Sequence, residues 1–351
     1  MPRNNPKVLI VATSRKTRGG ITSVVKAHEQ GKQWKKYHCK WIETHRDGNA
    51  LRKIAYFIFS LSQYMCLLPN YDLVHIHIAT TGSAKRKQVF YYLAKWMNKK
   101  VIFHFHPSNE KFLFESANQK LYRKLFSSTD LVLVLSKQWQ VWIKAALGLY
   151  KNIEVLYNPC PIVDRIDTNR KNNILFAGTL IERKGYGVLL RAFASIADKY
   201  PSWKIVFAGN GEIEMAKLLA DKLGIRNQIE LLGWVSGNEK ERQFQSASIY
   251  CLASDGEGFP MGVLDAWAYG IPCIVTPVGG IPDIVIDGKN GLLFPVGDIN
   301  ILSQQIEELI DNKCLREQMV IESDKYVNGE FNQDIINNKL DKIYSKVLNK
   351  C

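Results

Sequence analysis

Short apolar runs rich in Val, Ile, Leu and Phe recur along the chain at residues 7–13, 72–78, 100–106, 130–136 and 154–158. They recur again at 173–178, 204–209, 229–233, 249–254 and 272–276. Each has strand length and is apolar at nearly every position, as a strand buried on both faces must be. Between them the period lengthens to that of a helix, as at 21–30, 88–97, 187–199 and 213–223. Continuous strands alternating with amphipathic helices predict parallel sheets covered by helices. Two such series are separated by a segment around 158–173 that is rich in Pro, Asn and Asp and has no apolar period, which reads as a linker. The pattern therefore predicts two doubly wound α/β domains, 1–165 and 166–330. Residues 331–351 follow as a C-terminal helix with apolar Ile335, Ile336, Leu340, Ile343, Tyr344 and Val347, packing back toward the first domain.

Composition adds two points. With 46% hydrophobic and 23% charged residues the chain is an ordinary globular one, and disorder is excluded. The net charge of +14 is unevenly divided, with 28 Lys+Arg against 10 Asp+Glu in residues 1–170 (+18) and a net −4 in the remainder. A basic front half suits nucleic acid, an anionic membrane surface or a phosphorylated substrate, and charge does not choose among them. The seven cysteines are scattered with no C-x-x-C spacing, which fits reduced thiols in a cytoplasm. The start of the chain runs straight into the first strand, so no signal peptide is expected, and the most hydrophobic stretch, 54–68, is short for a membrane span.

Parallel α/β sheets bind ligands beyond the carboxyl ends of their strands, and the chemistry-bearing residues fall there. Gly19 and Gly20 lie between the first strand and its helix, where glycine admits a ligand close to the backbone and the helix N-terminus offers N–H groups to an anion. The pairs His75/His77 and His104/His106 each share a strand face. Zinc is not expected there, because no nearby Cys or acidic cluster completes a ligand set. Of the four, His106, last before Pro107, is the better candidate for a substrate contact. Arg183 and Lys184 follow the strand that ends at Gly178 and suit a diphosphate. The densest signal is SDGEGFPMGVLDAWAYGIPCIVTPVGG. Here Glu257 follows a strand, Pro260 opens a helix whose Met261 and Gly262 N–H groups face an anion, and Asp265 comes about one turn later. A carboxylate on either side of a phosphate site can grip sugar hydroxyls at both ends of a nucleotide-sugar. Glycoside hydrolysis, which also uses two carboxylates, would need them to flank a scissile bond instead.

In these motifs the chain resembles glycosyltransferase family 4, retaining enzymes of the GT-B fold, over nearly its full length and most densely from 174 to 294. The E-x7-E motif of the family runs here from Glu257 to Asp265, and G-R-L-x-x-x-K-G appears as Gly178-Thr179-Leu180 through Lys184-Gly185. The V-G-x-G loop appears as Ala208-Gly209-Asn210-Gly211, and T-x-x-G-G as Thr276 through Gly279-Gly280. The resemblance implies two Rossmann-like domains facing a central crevice, with the nucleotide-sugar in the second and the acceptor in the first. It implies that Lys184 neutralises the donor diphosphate, Glu257 binds the donor sugar, Asp265 takes the ribose hydroxyls and His106 contacts the transferred sugar. Gly19 and Gly20 would line the phosphate and acceptor side, and Gly209, Phe259, Met261 and Gly262 would complete the donor contacts. Thr179 stands where the family has a phosphate-binding Arg, and Arg183 is the candidate to compensate. The implied mechanism is metal-independent and needs no cofactor, with the leaving phosphate taking the acceptor's proton.

The expected reaction is transfer of a hexose-type sugar from a nucleotide-diphosphate sugar, with UDP the expected nucleotide. The expected acceptor is a saccharide, lipid-linked, in bacterial cell-surface polysaccharide synthesis. Lys85 to Lys100 reads as an amphipathic helix with basic ends and apolar 89, 92, 93, 96 and 97, and 50–68 adds aromatic and basic residues. Both suit peripheral attachment to the inner face of the plasma membrane. The competing readings are a GT-B enzyme with a soluble acceptor and a non-catalytic nucleotide-sugar-binding subunit. Nucleic-acid binding lacks a recognition signature, and a dehydrogenase would need G-x-G-x-x-G after a first strand.

Overall fold

The computed structural model describes residues 5–46, 48–166 and 170–349, and these divide into two compact units. The first comprises the chain up to Pro159 together with the segment from Phe331 onward, and the second runs from Cys160 to Glu330.

The first unit is built on β1 (Val8–Ala12), β2 (Lys40–Glu43), β3 (Leu73–Ile78), β4 (Lys100–Phe105), β5 (Leu131–Val134) and β6 (Ile153–Val155). They form one sheet in the order β2-β1-β3-β4-β5-β6, and every pair is parallel. Every residue of β1 and β3 is buried, which is why those runs are apolar throughout. An aromatic block of Phe103, Phe105, Tyr122, Phe126 and Trp139 fills one part of the core, with ring centroids 5.2–5.9 Å apart. Helix starts are fixed locally, since the Thr80 side chain caps Ser83 and the Ser136 side chain caps Trp139.

The C-terminal helix Gln333–Leu348 packs into this unit through Ile336, Leu340, Ile343, Tyr344 and Val347. It is also tied by polar contacts in the core. The Asn337 Oδ1 atom accepts from Gln33 Nε2 at 2.9 Å and lies 2.9 Å from His28 Nδ1, while Asn337 Nδ2 donates to the Ala27 carbonyl at 3.1 Å. Ile335, on the same helix, points outward and is 38% exposed.

The second unit carries β7 (Asn173–Ala177), β8 (Lys204–Ala208), β9 (Ile229–Gly233), β10 (Ile249–Leu252), β11 (Cys273–Val275) and β12 (Leu292–Leu293). Their order, β12-β11-β10-β7-β8-β9, is the doubly wound arrangement in which chain order reverses between the first and fourth strands. Two strands have no counterpart among the predicted ones. β2 is four residues with a fully buried middle, and β12 is two residues; both are outermost strands of their sheets. The helix predicted at 88–97 begins seven residues earlier, as Thr81–Trp96, and its buried face is Ser83, Ala84, Lys87, Phe90, Tyr91 and Ala94. Lys87, read from sequence as part of a basic helix end, is fully buried. Among the described residues no helix is long and apolar enough to cross a membrane.

Asn337 is the polar centre of the C-terminal helix attachment. Replacing it with Leu strands donors in the core, where each unsatisfied group costs about 1–3 kcal/mol. Asn337→Leu is therefore expected to lower the urea midpoint of the first unit clearly, and Ile335→Ser is expected to leave it within about 0.5 kcal/mol of the parent.

Candidate functional site

In the second unit the reversal of strand order falls between β7 and β10, and the loops leaving those two strands carry the predicted residues. Gly178 and Thr179 follow β7, with Thr179 exposed, and a single turn, Glu182–Lys184, presents Arg183 and Lys184. Ser254 and Glu257 follow β10. Lys184 Nζ lies 2.5 Å from Glu257 Oε1, and Ser254 Oγ donates to the same oxygen at 2.6 Å. Glu257 is buried, so its charge is held by one cation and one hydroxyl rather than by water. The Arg183 guanidinium donates to the Gly256 carbonyl, and the Arg183 carbonyl accepts from Asp255 N at 2.9 Å. Arg183, expected to contact a diphosphate, is thus engaged in fastening the loop in front of Glu257.

Two glycines let these loops meet. Gly185 has φ +72°, and a Cβ there would lie 2.0 Å from the Ala253 carbonyl oxygen, at the end of β10. Gly279 has φ +61°, and its Cβ would lie 1.8 Å from the Glu257 carbonyl oxygen. Both positions require the left-handed conformation and a missing side chain at once. Gly209, just past β8, bridges to Gly233.

Helix Met261–Ala268 starts beside this pair in sequence. Pro260 is its N-cap, one place earlier than the first-turn position expected for it, and no side chain caps the helix. The N–H groups of Met261 and Gly262 have no acceptor within the helix and stand at the end where the sequence predicts an anion. Phe259, two residues before Met261, is buried. Asp265 sits one turn along, largely buried, with Oδ2 2.7 Å from Lys240 Nζ. Burial raises the Asp265 carboxyl above its ordinary range, and the Lys240 ammonium opposes that shift. Lys240 lies in the charged helix Asn238–Ser246, and nothing in the pattern NEKERQFQ distinguishes it from its solvated neighbours.

In the first unit Gly19, at φ +134°, is the N-cap of helix Gly20–Glu29, which has no side-chain cap; both glycines are exposed. The four strand histidines form one buried column. Ring centroids are 4.4 Å apart for His75–His77, 4.9 Å for His77–His104, 4.2 Å for His104–His106 and 5.1 Å for His77–His106. His28, from helix Gly20–Glu29, stacks on His104 at 6.4 Å. His77 Nδ1 lies 2.9 Å from His106 Nε2, and His75 Nδ1 lies 2.7 Å from the Tyr344 hydroxyl. Burial first, and the neighbouring rings or Lys87 second, push every strand histidine toward the neutral form, His106 down to about 3. His28 falls to about 4 through burial.

His75, His77 and His104 bring ring nitrogens within 4.8 Å of one another. Their planes lie only 11–36° apart. Imidazole lone pairs lie in the ring plane, so stacked rings direct them side by side instead of to one point about 2.0–2.1 Å away, as a zinc ion needs. Lys87 sits below the column, its Nζ 2.5 Å from the His77 carbonyl, and burial brings its ammonium down to about 7.

These two sites fit a known class. The description "Glycosyl transferases group 1" matches residues 164–326 and "Glycosyltransferase Family 4" matches residues 9–162. The fold is GT-B: the chain is similar to Anabaena Alr3699/HepE in complex with UDP at a TM-score of 0.78 and 17% identity, covering 97% of this chain and 100% of that one. The chain belongs to the group 1 / family 4 glycosyltransferases. An uncharacterized glycosyltransferase of Haemophilus influenzae is 30% identical over 223 residues, 60% of this chain and 61% of that protein. The amylovoran biosynthesis glycosyltransferase AmsK of Erwinia amylovora is 25% identical over 289 residues, 79% and 70% of the two chains. The chain spans less than two thirds of the length of the first curated relatives it matches.

Two outcomes are expected. Lys240→Met removes the cation beside a largely buried carboxylate, and since Lys240 is itself partly exposed the cost is about 1–2 kcal/mol. Differential scanning calorimetry should place this loss in the second unit. The histidine column resists protons that the unfolded chain accepts near pH 6.5. Its stability is therefore intact above that pH and lost as the pH falls toward 4, by up to about 1.4 kcal/mol per pH unit for each histidine. Denaturant titrations at pH 7.5 and 5.5 should show it, and His104→Phe should flatten the dependence.

Proposed function

We propose that this chain transfers a hexose from a UDP-sugar to a saccharide carried on a lipid, with retention of configuration and with no metal or other cofactor at the donor site. The observation that carries this reading is the Lys184–Glu257 pair at the strand-order reversal of the second unit, beside a helix whose first N–H groups are uncapped.

Each group has a task that follows from its chemistry. Lys184 keeps two further N–H donors beyond the one facing Glu257, and with the Met261 and Gly262 N–H groups it stabilises the charge growing on the leaving diphosphate. That preorganised positive end does what a divalent cation does in other transferases. Glu257 accepts hydrogen bonds from donor sugar hydroxyls through its remaining oxygen capacity. Asp265, paired with Lys240, accepts from the ribose hydroxyls. With Arg183 tied to Gly256 and Thr179 in the place of an arginine, Lys184 is the principal cation for the diphosphate. The acceptor hydroxyl attacks the anomeric carbon on the face that the diphosphate leaves. Its proton passes to the departing phosphate oxygen, so no protein nucleophile is required. In the first unit His106, neutral at physiological pH, contacts the transferred sugar, and Gly19 with Gly20 offers backbone to the acceptor side.

The choice of UDP is supported by solved relatives of the same fold, Anabaena Alr3699/HepE in complex with UDP-glucose among them. The polysaccharide acceptor is supported by AmsK, named for amylovoran biosynthesis, and by a relative named for colanic acid biosynthesis, 27% identical over 233 residues. The basic front half supports a reaction at the inner face of an anionic membrane.

The test is thermal stabilisation by UDP, GDP, ADP, CMP and their sugars with EDTA present. UDP at about 100 times its Kd should add about 2.7 kcal/mol to the second unit. Lys184→Ala should lower kcat for transfer by about 10²–10³ while the protein stays folded. No shift from any nucleotide would overturn the donor site. A shift without transfer or donor hydrolysis would make the chain a nucleotide-sugar-binding subunit.

A further inference from the structure

We infer that the outward face of helix Ala50–Leu67 in the first unit is the surface by which this chain lies on an anionic lipid bilayer; the inference rests on the reading that the acceptor is carried on a lipid. A helix on the surface of a soluble unit shows one apolar stripe to the core and polar residues to water. This helix has two apolar stripes. Ser60 and Tyr64 are buried, and Phe57, Leu61 and Leu67 pack against the core beside them. On the outward side Leu51, Ile54, Ile58 and Met65 follow one another at helical spacing with Phe59 alongside, and all five are exposed, Leu51 at 79% and Phe59 at 64%. The buried stripe already accounts for the fold of the helix, so the outward stripe is left for another partner.

Several features select lipid as that partner. The 18-residue helix is about 27 Å long, yet it is not apolar enough to span a membrane, as a helix lying along the interface should be. Residues 49–71 contain no Asp or Glu, and Arg52 and Lys53 are exposed on its first turn. The neighbouring helix Thr81–Trp96 packs on it through Phe90, which meets Phe57 and Tyr64 at ring-centroid distances of 5.8 and 4.9 Å. That helix exposes Tyr92 and Trp96, the latter at 80%, beside an open, largely apolar trough of about 600 Å³. Exposed Trp and Tyr near basic residues are the side chains that settle at a headgroup boundary. A second copy of the chain would press Arg52 and Lys53 against a half that already carries +18, whereas anionic headgroups neutralise them. The exposed stripe thus favours 50–67 as the main membrane contact, where the sequence pattern leads with 85–100.

Co-sedimentation with vesicles tests this, using full-length protein and phosphatidylcholine alone or with about 30% phosphatidylglycerol. The parent should sediment with the anionic vesicles. Ile54→Ser, Ile58→Ser and Phe59→Ser combined should weaken that partition at least about tenfold. Arg52→Gln with Lys53→Gln should weaken it at low salt and much less at about 0.5 M salt. Failure of the parent to sediment, or equal sedimentation of the triple-serine protein, overturns the inference. So does a dimer-to-monomer change on the triple substitution with lipid binding unaltered, which makes the face a contact between copies. Nucleotide-induced thermal stabilisation is measured on the same proteins. All should keep it, so loss of lipid binding and failure of the donor site are read separately.

Discussion

A parallel strand buried on both faces commits nearly all its side chains to packing, and whatever chemistry the chain performs has to begin where the strand stops. All neighbouring strands in both units are parallel, so the carboxyl ends of each sheet gather on one edge. In the second unit that edge receives Thr179 to Lys184 from one strand and Ser254 to Glu257 from another, although about seventy residues separate them in the chain. The bond between Lys184 and Glu257 follows from this constraint. The two loops are brought within backbone contact at Gly185, a residue that lacks a side chain.

The long central strands were legible because a strand buried on both faces writes an unbroken apolar run. β2 and β12 were not, since Lys40-Trp41-Ile42-Glu43 and Leu292-Leu293 are too short to differ from loop sequence that happens to be apolar. The candidate donor-side residues came from motif spacing, and Glu257, Lys184, Met261, Gly262 and Asp265 lie at the switch of strand order or on the helix that follows it. Lys240 was invisible, because its partner is fixed by how one helix packs beside another and not by any local pattern. Arg183 was assigned a diphosphate from its charge, its place after a strand end and the family motif, and in the structure its guanidinium holds the Gly256 carbonyl. Lys87 shows the reverse case. Three basic residues in a row look like a solvated end, yet the helix phase turns the third one inward.

The first unit tolerates an uncommon amount of polar chemistry in its interior. Five imidazoles, a lysine and an asparagine lie within or beside β3 and β4, positions that an apolar side chain of similar volume could fill. The column is held by stacking and by contacts such as His75 with Tyr344 and His28 with Asn337. Both of these partners come from the C-terminal helix. The last element of the chain thus completes the polar interior of the first unit, and removing it would expose an orphaned set of ring nitrogens as well as an apolar surface.

The uncapped start of helix Met261–Ala268 has a consequence for how the second unit behaves when nothing is bound. A helix of eight residues is short, and its first turn lacks the side-chain oxygen that normally closes it. On the function proposed here, the missing cap is the donor diphosphate. A ligand seated there would serve as the last piece of secondary structure, and the order of that turn would become a function of ligand concentration. Selection can keep this helix short and open-ended in such a chain, since a serine or aspartate cap in the place of Pro260 would stabilise the empty protein by occupying the place proposed for the diphosphate.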